Sequence, residues 1–579
     1  MRQGNQFGIV RILVHVCVGS SLKNYIYIER RDIIATENVI EGVASDSAPT
    51  EDSRAQVSVA QSAADASSVK PVDSSSASGK VTAKNSGALI VPPFGLPKGD
   101  QLVLSSSNGQ GYIVVRDGAN PYAMPISSKA AEGLIQKEAY SRGKRLSRQG
   151  VVDTKYYLQS NVEHTGAITD IWYRVAPVPG GVEFDLGDKA YVRVKVTPGK
   201  VEFVFSGSTT LFSRTPAMLP MAMPAEVGDV NLLKKYVNLH SVAYTLWLGW
   251  VTYTMATPKT PSAKFVILVL QGGEGSGKSA LARLTLWLID PSRAGVQTLH
   301  SNPKDFAIAA QSAHVVAYDN LRFLIHAMAD LLCTASTGGS TSSRALYTDG
   351  DQIILSLHVA VILNGIPNVV DQPDLAQRTL QLPTQVLLDH LRKSEFQMEA
   401  ELAADLPAIQ RGLFDLIAKI FEQLPNVKVT RPARMIDFSR WLAAMELVYG
   451  APAGTFQEAY LDTLNQAQLD SVLDNPLASE VLKFAERLPV GDVWSGTPSD
   501  LLNGLNLYVD LGTRTSKGWP GNVIALSKRL LPLQTALRSQ GVILELSRGK
   551  HRTITINWID GYAREFLPDS KAAGELDVY

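Results

Sequence analysis

Eight consecutive residues near the middle of the chain have the types and spacing to hold a phosphate chain: Gly272, Gly273, Glu274, Gly275, Ser276, Gly277, Lys278 and Ser279. They follow the pattern G-x-x-x-x-G-K-[ST], and Ala280 carries it into a helical stretch. Glycines let the backbone curl until successive N–H groups and a helix N-terminus face one anion. Lys278 is placed to neutralise the β- and γ-phosphates of a nucleotide, and the Ser279 hydroxyl to serve a Mg2+ ion. An apolar run at 265–270 precedes the loop and a helical pattern at 280–288 follows it, the strand-loop-helix setting the motif needs. The ligands expected are ATP and Mg2+.

A second group completes such a site. The apolar run 313–318 ends in Asp319, 40 residues past Ser279, which is expected to hold the magnesium directly or through water. The next residue is Asn320, where a glutamate would serve as general base. Asn orients a water but is a poor base. The base is therefore unassigned, with Glu274 in reserve. A third apolar run, 358–363, ends in Asn364, expected to touch the γ-phosphate or the attacking water. Asp374 to Arg378 precede another strand, and Arg378 suits an arginine finger supplied to a neighbouring subunit.

These residues need a scaffold, and the composition provides for one. The 579-residue chain of 62.7 kDa is 45% hydrophobic and 19% charged, with 55 basic and 55 acidic side chains. It can bury a large core, and any nucleic-acid surface must be local. Cys17 and Cys333 are too few and too far apart for a disulfide framework or zinc site, which fits a reducing, cytoplasmic setting. The run 7–18 is short and broken by Arg11 and His15, and 242–255 reads as a buried core helix; a membrane span needs about 20 apolar residues. Residues 44–80 contain 19 Ser or Ala in 37 and no aromatic, so a flexible linker is expected there. Residues 1–43, with one strand at 24–28, are a docking tail or an extension upstream of the true start.

Taken in series, the loop, 318–321, 333–339, 344–349, 362–365 and 374–378 resemble the ATPase domain of phage- and plasmid-type primase-helicase proteins. Those are of the AAA+ class and akin to superfamily 3 helicases. The resemblance covers about 226–475. It implies a ring oligomer, a hexamer favoured, with ATP sites between subunits. It also supports Lys278 and Ser279 on phosphate and magnesium, Asp319 on magnesium, Asn364 as sensor and Arg378 as finger. Between the second and third strands, the segment 337–352 carries Arg344 and Tyr347. In the related helicases a loop here enters the ring channel and grips single-stranded DNA; Arg344 equally suits the subunit interface.

Toward the C-terminus, Thr497 before Pro498 marks a helix start, a second helix spans 523–539, and strands at 542–546 and 553–558 flank a basic turn. This is a winged-helix pattern. Lys528, Arg529, Arg538, Arg548, Lys550 and Arg552 make it locally basic, the footprint of duplex binding. Ahead of the ATPase region, 87–224 shows a helix with a basic end (Arg142, Lys144, Arg145, Arg148) and an antiparallel meander, but no metal-binding acid pair with a following His and no zinc knuckle. It is read as an accessory or recruitment domain that could engage a replication partner.

The expected architecture is α/β. A tail and linker occupy 1–86, an α+β accessory domain 87–224, a parallel-sheet P-loop ATPase core 225–385, a helical lid 386–475 and a winged-helix-like domain 476–579. The expected function is a DNA-stimulated ATPase, a ring helicase in replication of a phage or mobile element. The alternative is a nucleotide-switched origin-binding or regulatory protein with little hydrolysis.

Overall fold

Two neighbouring apolar-polar alternations near the N-terminus pair as a hairpin in the computed structural model, β1 (Arg11–Val18) with β2 (Ser21–Ile28), antiparallel. The model describes residues 11–18, 21–28, 102–116, 120–300, 302–344, 352–365, 370, 372–386, 394–489, 492–516, 518–547 and 552–559. The chain divides into two units, Met1–Gly87 and Ala88–Tyr579. The hairpin belongs to the first, and the expected linker at 44–80 lies outside the described residues.

The second unit opens with β3 (Leu102–Ser105), β4 (Gly111–Val115), β5 (Tyr122–Pro125), α1 (Lys129–Ser141), α2 (Arg148–Thr165) and β6 (Ala167–Thr169). Leu102, Ile113 and Ile126 pack against Ile135 of α1 and Leu158 and Val162 of α2, closing a small core of their own. The meander follows as expected: β7 (Val175–Val178), β8 (Gly181–Asp185), β9 (Arg193–Thr197) and β10 (Lys200–Val204), in the order β10-β9-β8-β7. Its tight turns are Pro179–Gly180 and Pro198–Gly199, with Gly180 at φ 77° and Gly199 at φ 67°. Proline fixes φ at the first position and only glycine is unstrained at the second. Then β11 (Phe212–Ser213) returns to the first sheet beside β5.

The meander does not build its core with that first sheet. Val182, Phe184, Val194 and Val196 share one apolar cluster with Trp247 and Trp250 of α3 (Ser241–Ala256) and with the lid helices. Phe184 meets the Phe414 ring at 4.8 Å, and Gly199 N donates to Ala418 O. Alternation specifies a half-buried strand without saying which partner covers it. The helix α3 is buried on nearly every side, as expected of the run 242–255. Among the described residues no helix is long and apolar enough to cross a membrane.

The central sheet is made of β12 (Ile267–Gln271), β13 (Val296–Thr298), β14 (Val315–Leu321), β17 (Ala360–Gly365) and β18 (Thr379–Pro383), all parallel, in the order β13-β14-β17-β12-β18. Its Val, Ile and Leu runs are buried on both faces, as a parallel sheet covered by helices requires. The covering helices are α4 (Lys278–Ile289), α5 (Pro303–Ser312) and α6 (His326–Thr337). The expected channel loop is a hairpin in its described part, β15 (Ser340–Arg344) paired with β16 (Gln352–Ser356); a short α7 (Pro373–Ala376) precedes β18.

The region expected as a helical lid comprises α8 (Glu395–Gln423), α9 (Ile436–Tyr449) and α10 (Thr455–Asp474). Ile409, Leu413, Ile417 and Ile420 bury the inner face of α8, while Met435, Phe438, Trp441, Leu442 and Met445 bury that of α9 and its entry. The C-terminal region contains α11 (Pro476–Glu486), β19 (Val493–Gly496), α12 (Pro498–Asn506), α13 (Leu511–Thr515), α14 (Val523–Ser539), β20 (Val542–Leu546) and β21 (Ile554–Trp558). Its sheet runs β19-β21-β20, antiparallel. Thr497 caps α12 in a reciprocal box with Asp500. The four-residue strand β19 was not expected; it is too short to show a period.

A buried ionic network joins the meander to the central sheet. Arg174 Nε donates to Asp290 Oδ1 at 2.9 Å, and Asp290 Oδ2 accepts His314 N at 2.7 Å and Val315 N at 3.3 Å. Burial opposes charge on Asp290, but Arg174 and His314 outweigh it and hold the carboxyl below its usual range. His314 Nε2 faces Thr254 O at 2.9 Å. Burial, with Lys259 nearby, pushes His314 and His358 each down to about 4. The folded protein therefore keeps both imidazoles neutral in a range where the unfolded chain, at about 6.5, takes up protons. Stability is present above about pH 6.5 and is lost as pH falls toward 4, by up to about 1.4 kcal/mol per pH unit for each histidine. Thermal melts between about pH 7 and 5 are expected to show this fall, and His358→Gln to flatten it.

Candidate functional site

The chain leaves β12 at Gln271 and turns through three glycines that no L side chain would follow easily: Gly272 at φ 154°, Gly275 at φ 74° and Gly277 at φ 79°. A Cβ on Gly272 would lie 2.4 Å from Thr384 Oγ1. Thr384, just past β18, pins the loop: its Oγ1 lies 2.7 Å from Ser276 Oγ and 2.9 Å from Gln271 O, and its amide donates to that same carbonyl. Asn238 Nδ2 adds bonds to Ser276 O at 3.2 Å and Gln385 O at 2.5 Å. Neither Asn238 nor Thr384 carries a sequence signal; both act through folding alone. Glu274 stands exposed at the loop's tip between Gly273 and Gly275, which are also exposed.

Lys278 opens α4 behind Gly277, with no side chain capping the helix. Its Nζ donates to Gly272 O at 2.9 Å, Gly273 O at 2.6 Å and Ser276 Oγ at 3.3 Å. Ser279 and Ala280 follow in the first turn, where uncapped N–H groups favour an anion.

Sheet order delivers the other residues. β17 lies between β12 and β14, with Asn364 in register with Leu270 and Leu363 with Tyr318. The tips carrying Asn364 and Asp319 thus end beside the loop, at the carboxyl ends of parallel strands where ligands bind in open α/β sheets. Asn364 is buried; its Nδ2 donates to Ser279 Oγ at 3.3 Å, and its Oδ1 has no partner. An unpartnered buried amide carbonyl beside a serine hydroxyl offers hard oxygens of the kind that suit Mg2+, and the nearby Lys278 ammonium is the complement of a phosphate.

Asn320 differs from the simple substitution expected. The β14–β17 register shifts between Tyr318 and Leu321, and Asn320 sits in that irregularity at φ 59°, exposed. Asparagine tolerates this left-handed conformation better than glutamate. The Asn320 amide donates to Asp319 Oδ1 at 2.6 Å.

Arg378 is also placed differently from an extended finger. It is buried, paired through Nη1 with the Asp374 carboxylate, 2.7 Å from Asp374 O and 3.7 Å from Cys333 Sγ. Asp374 pairs with Arg434 as well, at 2.5 Å. The short α7 brings Asp374 one turn before Arg378, which turns the guanidinium back on its own chain.

In the C-terminal region Lys528 and Arg538 are exposed and share a helical face of α14 with exposed Ile524 and Leu531. Arg529 is half-buried, donating to Gly518 O at 2.7 Å. Arg552 is exposed ahead of β21. Tyr347, Arg548 and Lys550 lie outside the described residues, and Arg344 ends β15.

The loop geometry yields a prediction. Gly272→Ala must strain the backbone and displace Thr384, costing about 1–3 kcal/mol. Gly273→Ala, with nothing within 4 Å of its Cβ, is expected to be nearly neutral. Chemical denaturation of the two variants checks the contrast.

Residues 230–467 match the family model described as actinomycete integrative conjugative element replication protein, and 477–566 match that of the AICE RepA C-terminal domain. No curated protein matches the chain. Among solved structures, the apo C-terminal region of NrS-1 is 11% identical, with 79% of this chain and 96% of that one covered at a TM-score of 0.34. A JCV helicase bound to a substituted acetamide is 16% identical over 39% of this chain and 66% of that one, at a TM-score of 0.18. Scores so low leave the fold to be argued from the sheet order itself. The two matched segments follow one another in the chain, are similar to the two domains of one family, and support a replication protein of a mobile element.

Proposed function

We propose that the protein is an ATP-dependent, DNA-stimulated ATPase that works as a ring-forming helicase in replication of its element. The observation that carries this is the convergence of Ser279, Asn364 and the Asp319 strand tip on the Lys278 loop. The parallel order with the loop strand between the first neighbour and the edge is the one expected of an AAA+ core. A helix, a strand, three helices and a two-strand hairpin support a winged helix at the C-terminus.

In this reading Lys278 leaves the Gly272 and Gly273 carbonyls for the β- and γ-phosphates, and the α4 amides hold the phosphate chain. Ser279 and Asp319 would hold Mg2+, which neutralises charge on the β- and γ-oxygens when bound. Asn364 orients the attacking water through its free Oδ1. Arg378 supplies a neighbouring subunit's site once released from Asp374. Exposed Lys528 and Arg538 on α14 meet duplex phosphates, with Arg552 on the wing. Arg344 and Tyr347 serve single-stranded DNA in the channel, or Arg344 serves the interface.

The second reading is a nucleotide-switched DNA-binding protein with little hydrolysis. It is favoured by one feature: Asn320 adjoins Asp319 where a glutamate base would stand.

Hydrolysis measured with and without single-stranded DNA separates the two. The motor reading expects DNA to raise turnover several-fold and Lys278→Ala to abolish it. Arg378→Ala is expected to be inactive alone and to regain activity when mixed with Lys278→Ala, since the defects then lie on opposite sides of one site. ATP binding without DNA-stimulated turnover would establish the switch instead.

A further inference from the structure

The connection between α1 and α2 concentrates positive charge in a way that neither the nucleotide site nor α14 explains. Four of the seven residues from 142 to 148 are cations, Arg142, Lys144, Arg145 and Arg148, and none is acidic. All four are exposed. None forms an ion pair among the described residues; Lys155 does, with Glu132 at 2.9 Å, an acid that Arg148 also acts on at longer range. The nearby acids are few. Asp153 accepts from Gln149 at 2.7 Å, and Glu138 points to solvent on the preceding turn.

The loop itself is fixed. Lys144 N donates to Ala139 O, Gly143 takes φ 68°, Leu146 packs on the small core and offers its carbonyl to Gln136, and Ser147 caps α2. Cations on a fixed loop lose less entropy on meeting an anionic polymer than cations on a floppy one. Exposed aromatic rings stand on the two flanking helices, one next to the loop and one about 12 Å further along α2. Tyr140, two residues before Arg142, is 62% exposed, and Tyr156 on the outer face of α2 is 73% exposed. A core has no use for such rings, whereas unpaired bases stack on them.

We propose that this loop and its flanking tyrosines form a second nucleic-acid surface, taking single-stranded DNA: the four cations on the phosphates, Tyr140 and Tyr156 on the bases. The occupant is assigned single-stranded because duplex bases are already stacked and offer the tyrosines nothing. The surface rests on the reading that the chain works on DNA, but it needs no nucleotide.

The test is fluorescence anisotropy of the full chain, without nucleotide, against an oligothymidylate of about 30 nucleotides and a duplex of equal length. Salt is varied from about 50 to 200 mM. Neutralising the loop, as R142Q/K144Q/R145Q/R148Q, is expected to weaken single-strand binding about tenfold or more and to flatten the salt slope by about 3, at ~0.7 per phosphate. Tyr140→Ala with Tyr156→Ala should weaken the single strand and spare the duplex. Circular dichroism melts of all variants confirm folding, and Lys144→Glu alone gives a milder check of the same sign. Wild-type affinity and slope in the neutralised variant would overturn the surface, as would a wild type that binds no single strand. Equal losses on both DNAs, with the tyrosine pair silent, would overturn the single-strand assignment. If wild-type hydrolysis is not stimulated by DNA while the neutralised loop still loses single-strand binding, the motor reading fails and this surface stands.

Discussion

The geometry of the Lys278 loop depends on the helix behind it, and Asp290 is what fixes the far end of α4. It follows the last residue of that helix, bonds the amides of His314 and Val315 where β14 begins, and receives Arg174 from the start of the meander. One carboxylate thereby ties the loop helix, the strand bearing Asp319 and the first strand of an adjoining sheet. Buried charge of this kind is costly unless every lone pair is used. Here the carboxylate meets two amides and a guanidinium. That guanidinium also meets Leu219 O and Asp185 O. At the near end, Thr384 and Asn238 hold the loop against β18 and the segment before α3. The site is a helix pinned at both ends.

Sheet order does the rest. Because β17 lies between β12 and β14, a polar residue at its tip reaches Ser279 without any long side chain, and asparagine suffices. At Asn320 the β14–β17 pairing is interrupted just as Asp319 is presented, and a left-handed residue makes that turn. The identity at 320 is thus set at least in part by backbone geometry, and its chemistry cannot be read apart from it.

Much of this was legible in the sequence because it depends on local signals. Glycine positions, the strand before and helix after the loop, the Pro-Gly turns, the caps at Thr497 and the apolar faces of α8 and α9 all act within a few residues. What was not legible depends on contacts across the chain. Asn238 and Thr384 are ordinary residues until β18 and the loop are brought together. The meander's alternation gave its pairing, while its covering partner, Phe414 and its neighbours on α8, lies some 200 residues on. Arg378 was legible as a residue and not as a conformation: Asp374 four residues earlier offers it a partner, but that spacing does not say that the guanidinium is buried beside Cys333.

That last contact bears on how Arg378 can be read. Asp374 is more than half exposed and shared with Arg434, so the ion pair is solvated and worth about 1 kcal/mol or less. What holds Arg378 is its bonding to the carbonyl and carboxylate of Asp374, and its Nε is left without a partner where it is buried beside Cys333. A buried donor left unsatisfied costs roughly 1–3 kcal/mol, which offsets much of what the pair contributes. The inward conformation is therefore a shallow one. Arg434, at the entry to α9, remains to neutralise Asp374 when Arg378 departs, so release leaves no carboxylate unpaired. An arginine held weakly, with its counter-ion already provided for, is compatible with a group that changes partners as a neighbouring site fills.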